Sequence, residues 1–261
     1  MNPSAVLESG DGFVFLIDKP STWTSFDVVN KIRRTMREKK VGHAGTLDPL
    51  ATGLVIVCTC KNTKKIEDFM GLEKGYEGTF FLGATTPSYD AETEIDARFP
   101  TEHITEKMIL KMAESFIGEQ WQTPPLFSAI KVEGRKLYEL ARKGKNPARL
   151  SPRQVEIKQF KIKAIRENEV DFYCLVSKGT YIRSLAFDFG KALGSGAYLS
   201  SLRRTSIGNY TIENAKSIPD WLAWWKERGV KLNEENPNSE ASNSEKSNSS
   251  DSFPAQNFKI K

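Results

Sequence analysis

The feature that most constrains this chain is a glycine-punctuated loop, Gly42-His43-Ala44-Gly45-Thr46-Leu47-Asp48-Pro49-Leu50-Ala51-Thr52-Gly53, running straight into the apolar stretch Leu54-Val55-Ile56-Val57. Local physics reads it as a tight loop feeding a buried strand. Gly42, Gly45 and Gly53 permit backbone angles or close approaches that a side chain would block. Pro49 holds Asp48 towards an extended conformation, so this carboxylate is not one more charge on a helix face. The end of a strand is a rigid place from which to project one reactive group. Taken locally, two readings stay open: Asp48 as a turn former or cap, and Asp48 as a working carboxylate.

Around that loop the pattern alternates between helices and strands. Phe13–Ile17 reads as a strand ended by Lys19-Pro20, and Thr24 or Ser25 caps a helix carrying Phe26, Val29, Ile32 and Met36. Residues 76–82 form another expected strand with Tyr76 at its start. A helix near 105–117 opens at Thr105 and closes before Gly118. A proline-rich segment, Trp121–Ser128, precedes a basic helix around 135–143 and a positive loop over 143–152. Val155–Ile165 and Val170–Ser177 pair as a hairpin, with Phe172, Cys174 and Val176 on one face and Asp171, Tyr173 and Leu175 on the other. A helix with Leu185, Phe189 and Leu193 ends at Gly194. A further short helix leads to Leu202-Arg203-Arg204, and Ile207–Ile212 reads as a last strand. Pro219 and Gly229 bracket a tryptophan-rich helix.

Composition narrows the chemistry. The chain is long enough for one large domain or two smaller ones. No apolar run approaches the roughly 20 residues of a membrane helix, and the first residues lack a basic start and an apolar core, so a cytoplasmic protein with no membrane partner is expected. Cys58 and Cys60 lack the usual two-residue gap of a zinc site and, with Cys174, suit small buried thiols in a reducing compartment. Asp90, Glu92, Glu94 and Asp96 lack the spacing of a calcium loop and suit a hydrogen-bonded loop. Neither metal nor cofactor is expected. Residues 1–229 hold 34 basic and 28 acidic side chains, with clusters at Arg33-Arg34, Arg135-Lys136 and Arg203-Arg204 that suggest a phosphate-binding face. Twelve of the twenty residues 233–252 are Asn or Ser, too few apolar groups to offset the entropy of ordering. The expected division is therefore a folded domain over 1–229 and a disordered tail over 230–261.

Several blocks, in order, resemble the bacterial TruB-type tRNA pseudouridine-55 synthases. They are Asp18-Lys19-Pro20, the loop around Asp48, Lys74-Gly75-Tyr76-Glu77-Gly78, Thr123–Lys131, Ser177–Ser184 and Leu202-Arg203-Arg204-Thr205. Together they run from Asp18 to Thr205, and several ordered blocks are far more specific than any single pattern. The resemblance implies an α/β fold with a central mixed, largely antiparallel sheet flanked by helices and RNA-binding insertions. It also implies isomerisation of the uridine at position 55 in the TΨC loop of tRNA, without metal or coenzyme and by a flipped base.

The same resemblance assigns residues. Asp48 is the catalytic carboxylate, Arg183 its counter-ion, and Tyr76 the ring that stacks on the target base, its phenol near the departing C5 proton. His43 fills the gap left by the flipped base, Tyr181 and Leu202 line the uracil pocket, Lys19 and Pro20 support the fold, and Asp90 lies near the cleft. For Arg183 the ion pair is preferred over a phosphate contact, because a buried carboxylate without a partner is costly. The implied partner is the TΨC arm of tRNA, bound by a monomer without guide RNA. Two alternatives remain: a guide-RNA-dependent synthase of the archaeal and eukaryotic type, and an RNA-folding module without chemistry. Longer family members continue into a C-terminal PUA domain, for which no strand signals follow Gly229.

Overall fold

A computed structural model of the chain describes residues 6–9, 12–128, 131–132, 135–136 and 150–235. In chain order the first half holds β1 (Val6–Ser9), β2 (Gly12–Lys19), α1 (Ser25–Met36), β3 (Val41–His43), β4 (Thr52–Thr59) and α2 (Ile66–Gly71). Next come β5 (Lys74–Leu82), β6 (Ala84–Thr85), β7 (Ala97–Arg98), α3 (Glu106–Ser115) and β8 (Gly118–Gln122). The second half holds β9 (Lys131–Val132), β10 (Arg135–Lys136), β11 (Arg153–Arg166), β12 (Glu169–Val176), α4 (Ile182–Ala192), β13 (Ala197–Ile207), β14 (Tyr210–Thr211), β15 (Lys216–Ser217) and α5 (Ile218–Glu235).

Eleven of these strands form one sheet whose main order is β1-β2-β4-β13-β5-β12-β11-β8. Its pairings are antiparallel except β4 with β13 and β2 with β15, so the sheet is mixed and largely antiparallel as expected. Strand β4, which leaves the Asp48 loop, and its neighbour β2 lie deep inside the sheet. Leu54 to Cys58 on β4 and Val14 to Ile17 on β2 are buried on both faces, which is why they read as uninterrupted apolar runs. Towards the other end the strands alternate, and Phe80 of β5, Phe160 of β11, Phe172 of β12 and Phe189 of α4 converge with ring centroids 4.2–6.1 Å apart. That cluster welds α4 to the sheet.

Local chemistry accounts for the helix ends. Thr24 accepts from the Asp27 amide at 3.0 Å while Asp27 accepts from the Thr24 amide at 2.8 Å, a reciprocal cap that fixes the start of α1. Thr105 caps α3 with a single bond, accepting from the Met108 amide. The buried stripe of α1 is Ser25, Val28, Val29 and Ile32. Phe26, expected on that stripe, stands off it at 56% exposed, with the Arg33 guanidinium 5.8 Å from its ring centroid.

Several expectations are corrected. Gly118–Gln122, which overlaps the start of the expected proline-rich segment, is an edge strand on β11. Arg135-Lys136 is not helical but pairs with Lys131-Val132 as a short hairpin; the rest of the expected basic helix and most of the positive loop lie outside the described residues. The approach to Leu202 is not helical either, because β13 runs unbroken from Ala197 to Ile207. The expected last strand is a turn at Gly208 followed by β14 folding back on β13. Helix α5 continues through Gly229 to Glu235. The chain divides into two compact units, Met1–Pro219 and Asp220–Lys261. In the second, Trp221 stacks on Trp225 at 6.1 Å. The Asn/Ser-rich tail from residue 236 onward lies outside the described residues.

Candidate active site

The loop from Gly45 to Thr52 is held at every turn by donors and acceptors from elsewhere in the fold. Ser25, at the head of α1, accepts from the Leu47 amide at 2.8 Å and so fixes the residue before Asp48. The residue after it is fixed by its carbonyl, since Pro49 O accepts from the Thr22 amide at 2.8 Å and from Lys19 Nζ at 3.2 Å. Lys19 Nζ also donates to the carbonyls of Pro20 and Trp23. Burial lowers the pKa of this ammonium to about 8, against the opposing pull of the Asp48 charge. Lys19 is thus a buried cation spent on three carbonyls, in keeping with a supporting role for the Lys19-Pro20 turn.

Asp48 projects from this fixed loop with its side chain 38% exposed, facing the Arg183 guanidinium, only 4% exposed. Arg183 Nη2 donates to Asp48 Oδ1 at 3.2 Å, and Nε lies 2.9 Å from Oδ2 but off its N–H axis, so the second contact is electrostatic more than a directed hydrogen bond. Nη1 donates to the carbonyls of Ser88 and Phe127 at 3.2 and 2.9 Å. A second carboxylate, Asp90, stands 3.6 Å from Nε and is itself buried. Burial pushes the Asp90 carboxyl above its usual range, while hydrogen bonds from Ser88 Oγ at 2.6 Å and the Glu92 amide at 2.9 Å, with the Arg183 charge, pull it back. Asp48, Arg183 and Asp90, from three distant parts of the sequence, therefore form one charged row in which Asp48 is the member open to solvent.

Tyr76 and His43 border the same loop, and both meet Arg204. Tyr76 is buried on β5 directly opposite Arg204 of β13, and burial raises its phenol pKa. His43 closes β3; burial first and then the Arg204 charge lower its pKa, so the imidazole is neutral at pH 7. Arg204 belongs to one of the three basic clusters expected to form a phosphate-binding face. It is instead buried, with Nε donating to Leu54 O at 2.7 Å and Nη2 to Gly45 O at 3.1 Å. Its neighbour Arg203 is bound by Asp18 through two hydrogen bonds of 3.1 and 2.7 Å. The pair is structural wiring around the loop and not a free basic patch.

Tyr181 and Leu202 each stand two residues before an arginine of this neighbourhood, Arg183 and Arg204. Tyr181 sits at the head of α4, where Gln122 grips both its amide and its carbonyl at 2.7 and 3.0 Å. The Arg153 guanidinium lies 4.6 Å from its ring centroid, a cation–π contact that sequence reasoning did not foresee. Leu202 is half-buried on β13 opposite Gly78, two residues before Arg204. The acidic stretch after Gly83 is a hydrogen-bonded loop, as expected, with Thr85 bound to Asp96 and Ser88 to Asp90. Among the described residues no cluster of His, Cys, Asp and Glu has the arrangement of a metal site.

Comparison with known proteins gives this geometry a context. Residues 33–182 match the model of the TruB family pseudouridylate synthase N-terminal domain. The tRNA pseudouridine synthase B of Flavobacterium johnsoniae is 53% identical over 225 residues, covering 84% of this chain and 96% of that protein. The protein of the same name from Phocaeicola vulgatus is 49% identical over 232 residues, covering 86% and 98%. Among solved structures, a chain of a Cbf5-Nop10-Gar1 complex superposes with a TM-score of 0.66 at 30% identity, over 84% of this chain and 56% of that longer one. With the family model matching over the half of the fold that carries Asp48 and Tyr76, and relatives matching over nearly their whole length, the chain belongs to the TruB family of pseudouridylate synthases.

Proposed function

We propose that this protein isomerises uridine to pseudouridine in tRNA, at position 55 of the TΨC loop, with Asp48 as the catalytic carboxylate. The observation that carries the reading is the asymmetry of the Asp48–Arg183 pair: a buried guanidinium held by four protein groups, and a carboxylate that alone reaches solvent. The reaction breaks the C1′–N1 bond, turns the uracil and forms C1′–C5; the C5 proton is lost and N1 gains one, so atoms balance without redox chemistry. A carboxylate paired with Arg183 and open to the cleft suits the attack or proton removal that opens it. Tyr76 stacks on the loose base and its phenol lies near the C5 proton, His43 fills the vacated stack, and Tyr181 and Leu202 wall the uracil in.

The names of the similar proteins support tRNA as substrate, and a monomer acting in the cytoplasm without guide RNA suffices for this chemistry. A tRNA-folding role in addition is compatible with a protein that opens the TΨC loop to reach its target. The test uses tRNA transcripts labelled with tritium at uridine C5. Release from a bare transcript, abolished when uridine 55 alone is replaced by cytidine, is expected. Release that requires an added guide RNA, or that persists undiminished in the cytidine transcript, would overturn the assignment.

A further inference from the structure

Arg204 is a buried cation that the proposed reaction leaves unused. Its place is set by register: on β13 it lies beside Gly53 of the parallel neighbour β4 and opposite Tyr76 of the antiparallel neighbour β5. The strands meet so closely there that a Cβ on Gly53 would fall 2.3 Å from the Arg204 carbonyl oxygen. The side chain then reaches back under the catalytic loop, and two of its three nitrogens are committed to the backbone on either side of Asp48, Nε to Leu54 and Nη2 to Gly45. The third, Nη1, is left beside the loop, 3.6 Å from where a Cβ on Gly45 would sit. Tyr76 and Arg204 stand directly opposite one another in the β5–β13 register, so their side chains share one face of the sheet, and the guanidinium charge opposes the burial that raises the phenol pKa.

We propose that Arg204 is a positioning residue for Tyr76: anchored on the two shoulders of the Asp48 loop, it donates to the phenol oxygen and so directs the Tyr76 proton into the cleft. A phenol has one proton and two lone pairs; when a guanidinium N–H occupies a lone pair, the O–H turns away from it. A bulk basic residue would not do this, because the donor must be planar, fixed at several points and permanently charged. The inference deepens the proposed function and rests on its reading of Tyr76.

The experiment is a double-mutant cycle on single-turnover tritium release, with RNA affinity and thermal stability measured alongside. General acid–base groups are worth about 10²–10⁴ in rate, so Tyr76→Phe is expected to slow release by about that much. Arg204→Lys, which keeps the charge but cannot bridge Gly45, Leu54 and the phenol together, is expected to slow it at least tenfold with RNA affinity unchanged. In the Tyr76→Phe background, where only the anchoring of Gly45 and Leu54 is left to lose, the same lysine should slow release at least threefold less than it does in the wild-type background. Equal slowing in both backgrounds would mean that Arg204 only supports the loop, and would overturn the inference; so would a wild-type rate for folded Arg204→Lys. A Tyr76→Phe enzyme as fast as wild type would sink the reading of Tyr76 itself, before any Arg204 variant is made. Should Arg204→Lys not fold, hydrogen exchange of the Arg204 Nη protons in the wild-type protein decides the matter: they should lose protection in Tyr76→Phe, and unchanged protection would overturn the proposal.

Discussion

Replacing Arg183 by lysine tests the charged row most sharply, because it keeps the charge and removes the fork. The guanidinium now serves Ser88 O, Phe127 O and Asp48 Oδ1 at 2.9–3.2 Å and stands 3.6 Å from Asp90. An ammonium has one nitrogen on a shorter reach and cannot serve both carbonyls and both carboxylates. On the Asp48 side the loss is tempered by solvent, since that carboxylate is more than a third exposed, so one charge-assisted bond and not two is a fair measure of it. Such a bond is worth about 1.5–3 kcal/mol, which corresponds to a rate about ten- to a hundredfold lower if the loss falls on the transition state. On the buried side, carbonyls left without a donor cost about 1–3 kcal/mol of stability. The assay is single-turnover tritium release at saturating enzyme, with RNA affinity and urea unfolding measured on the same preparation. The expected result is a slower rate and a lower unfolding midpoint with RNA affinity changed by less than about threefold, because Arg183 is buried and touches the carboxylates and not the solvent. A folded Arg183→Lys protein turning over at the wild-type rate would refute the argument.

Two further expectations concern the loop itself. Because the Lys19 pKa falls from 10.5 unfolded to about 8 folded, the unfolded chain binds more protons between those values, and the contribution of this group to stability rises with pH across that window. Urea unfolding of wild type against Lys19→Met should show wild type gaining on the variant from pH 8 to 10.5, and a flat difference would mean the ammonium is not desolvated. Gly53 sits at φ +104° with no room for a Cβ, so Gly53→Ala should lower stability by about 1–3 kcal/mol or more and slow turnover through the displaced loop. An unfolding midpoint equal to that of wild type would contradict the close approach of β13.

What the sequence disclosed followed from how local each signal was. The hairpin of β11 and β12 was legible because Phe172, Cys174 and Val176 alternate with the less buried Asp171, Tyr173 and Leu175, and α1 and α3 because Thr24 and Thr105 are caps written in consecutive residues. Strand β13 was not, since Tyr-Leu-Ser-Ser-Leu-Arg-Arg-Thr lacks apolar alternation; it is held in mid-sheet by two neighbours and buries a charge whose partners are carbonyls far away in sequence. Strand β8 failed for a related reason, as Gly-Glu-Gln-Trp-Gln is polar and edge-bound. For the site, the loop around Asp48 and the Arg183 block stood out as ordered motifs. Arg204 was invisible beside Arg203, because two adjacent arginines look alike until one points into the fold. Arg153 over Tyr181 is likewise a contact between strands that no spacing rule anticipates.

The central claim is that one half-exposed carboxylate performs the chemistry while its surroundings only hold and tune it. Asp48→Asn measures this directly, since the amide is nearly isosteric and keeps an acceptor for Arg183. In a variant that unfolds as wild type does and binds the tRNA transcript with unchanged affinity, tritium release should fall to the enzyme-free background. Release continuing at a rate near that of wild type would show that the carboxylate is scaffolding, and would contradict the account.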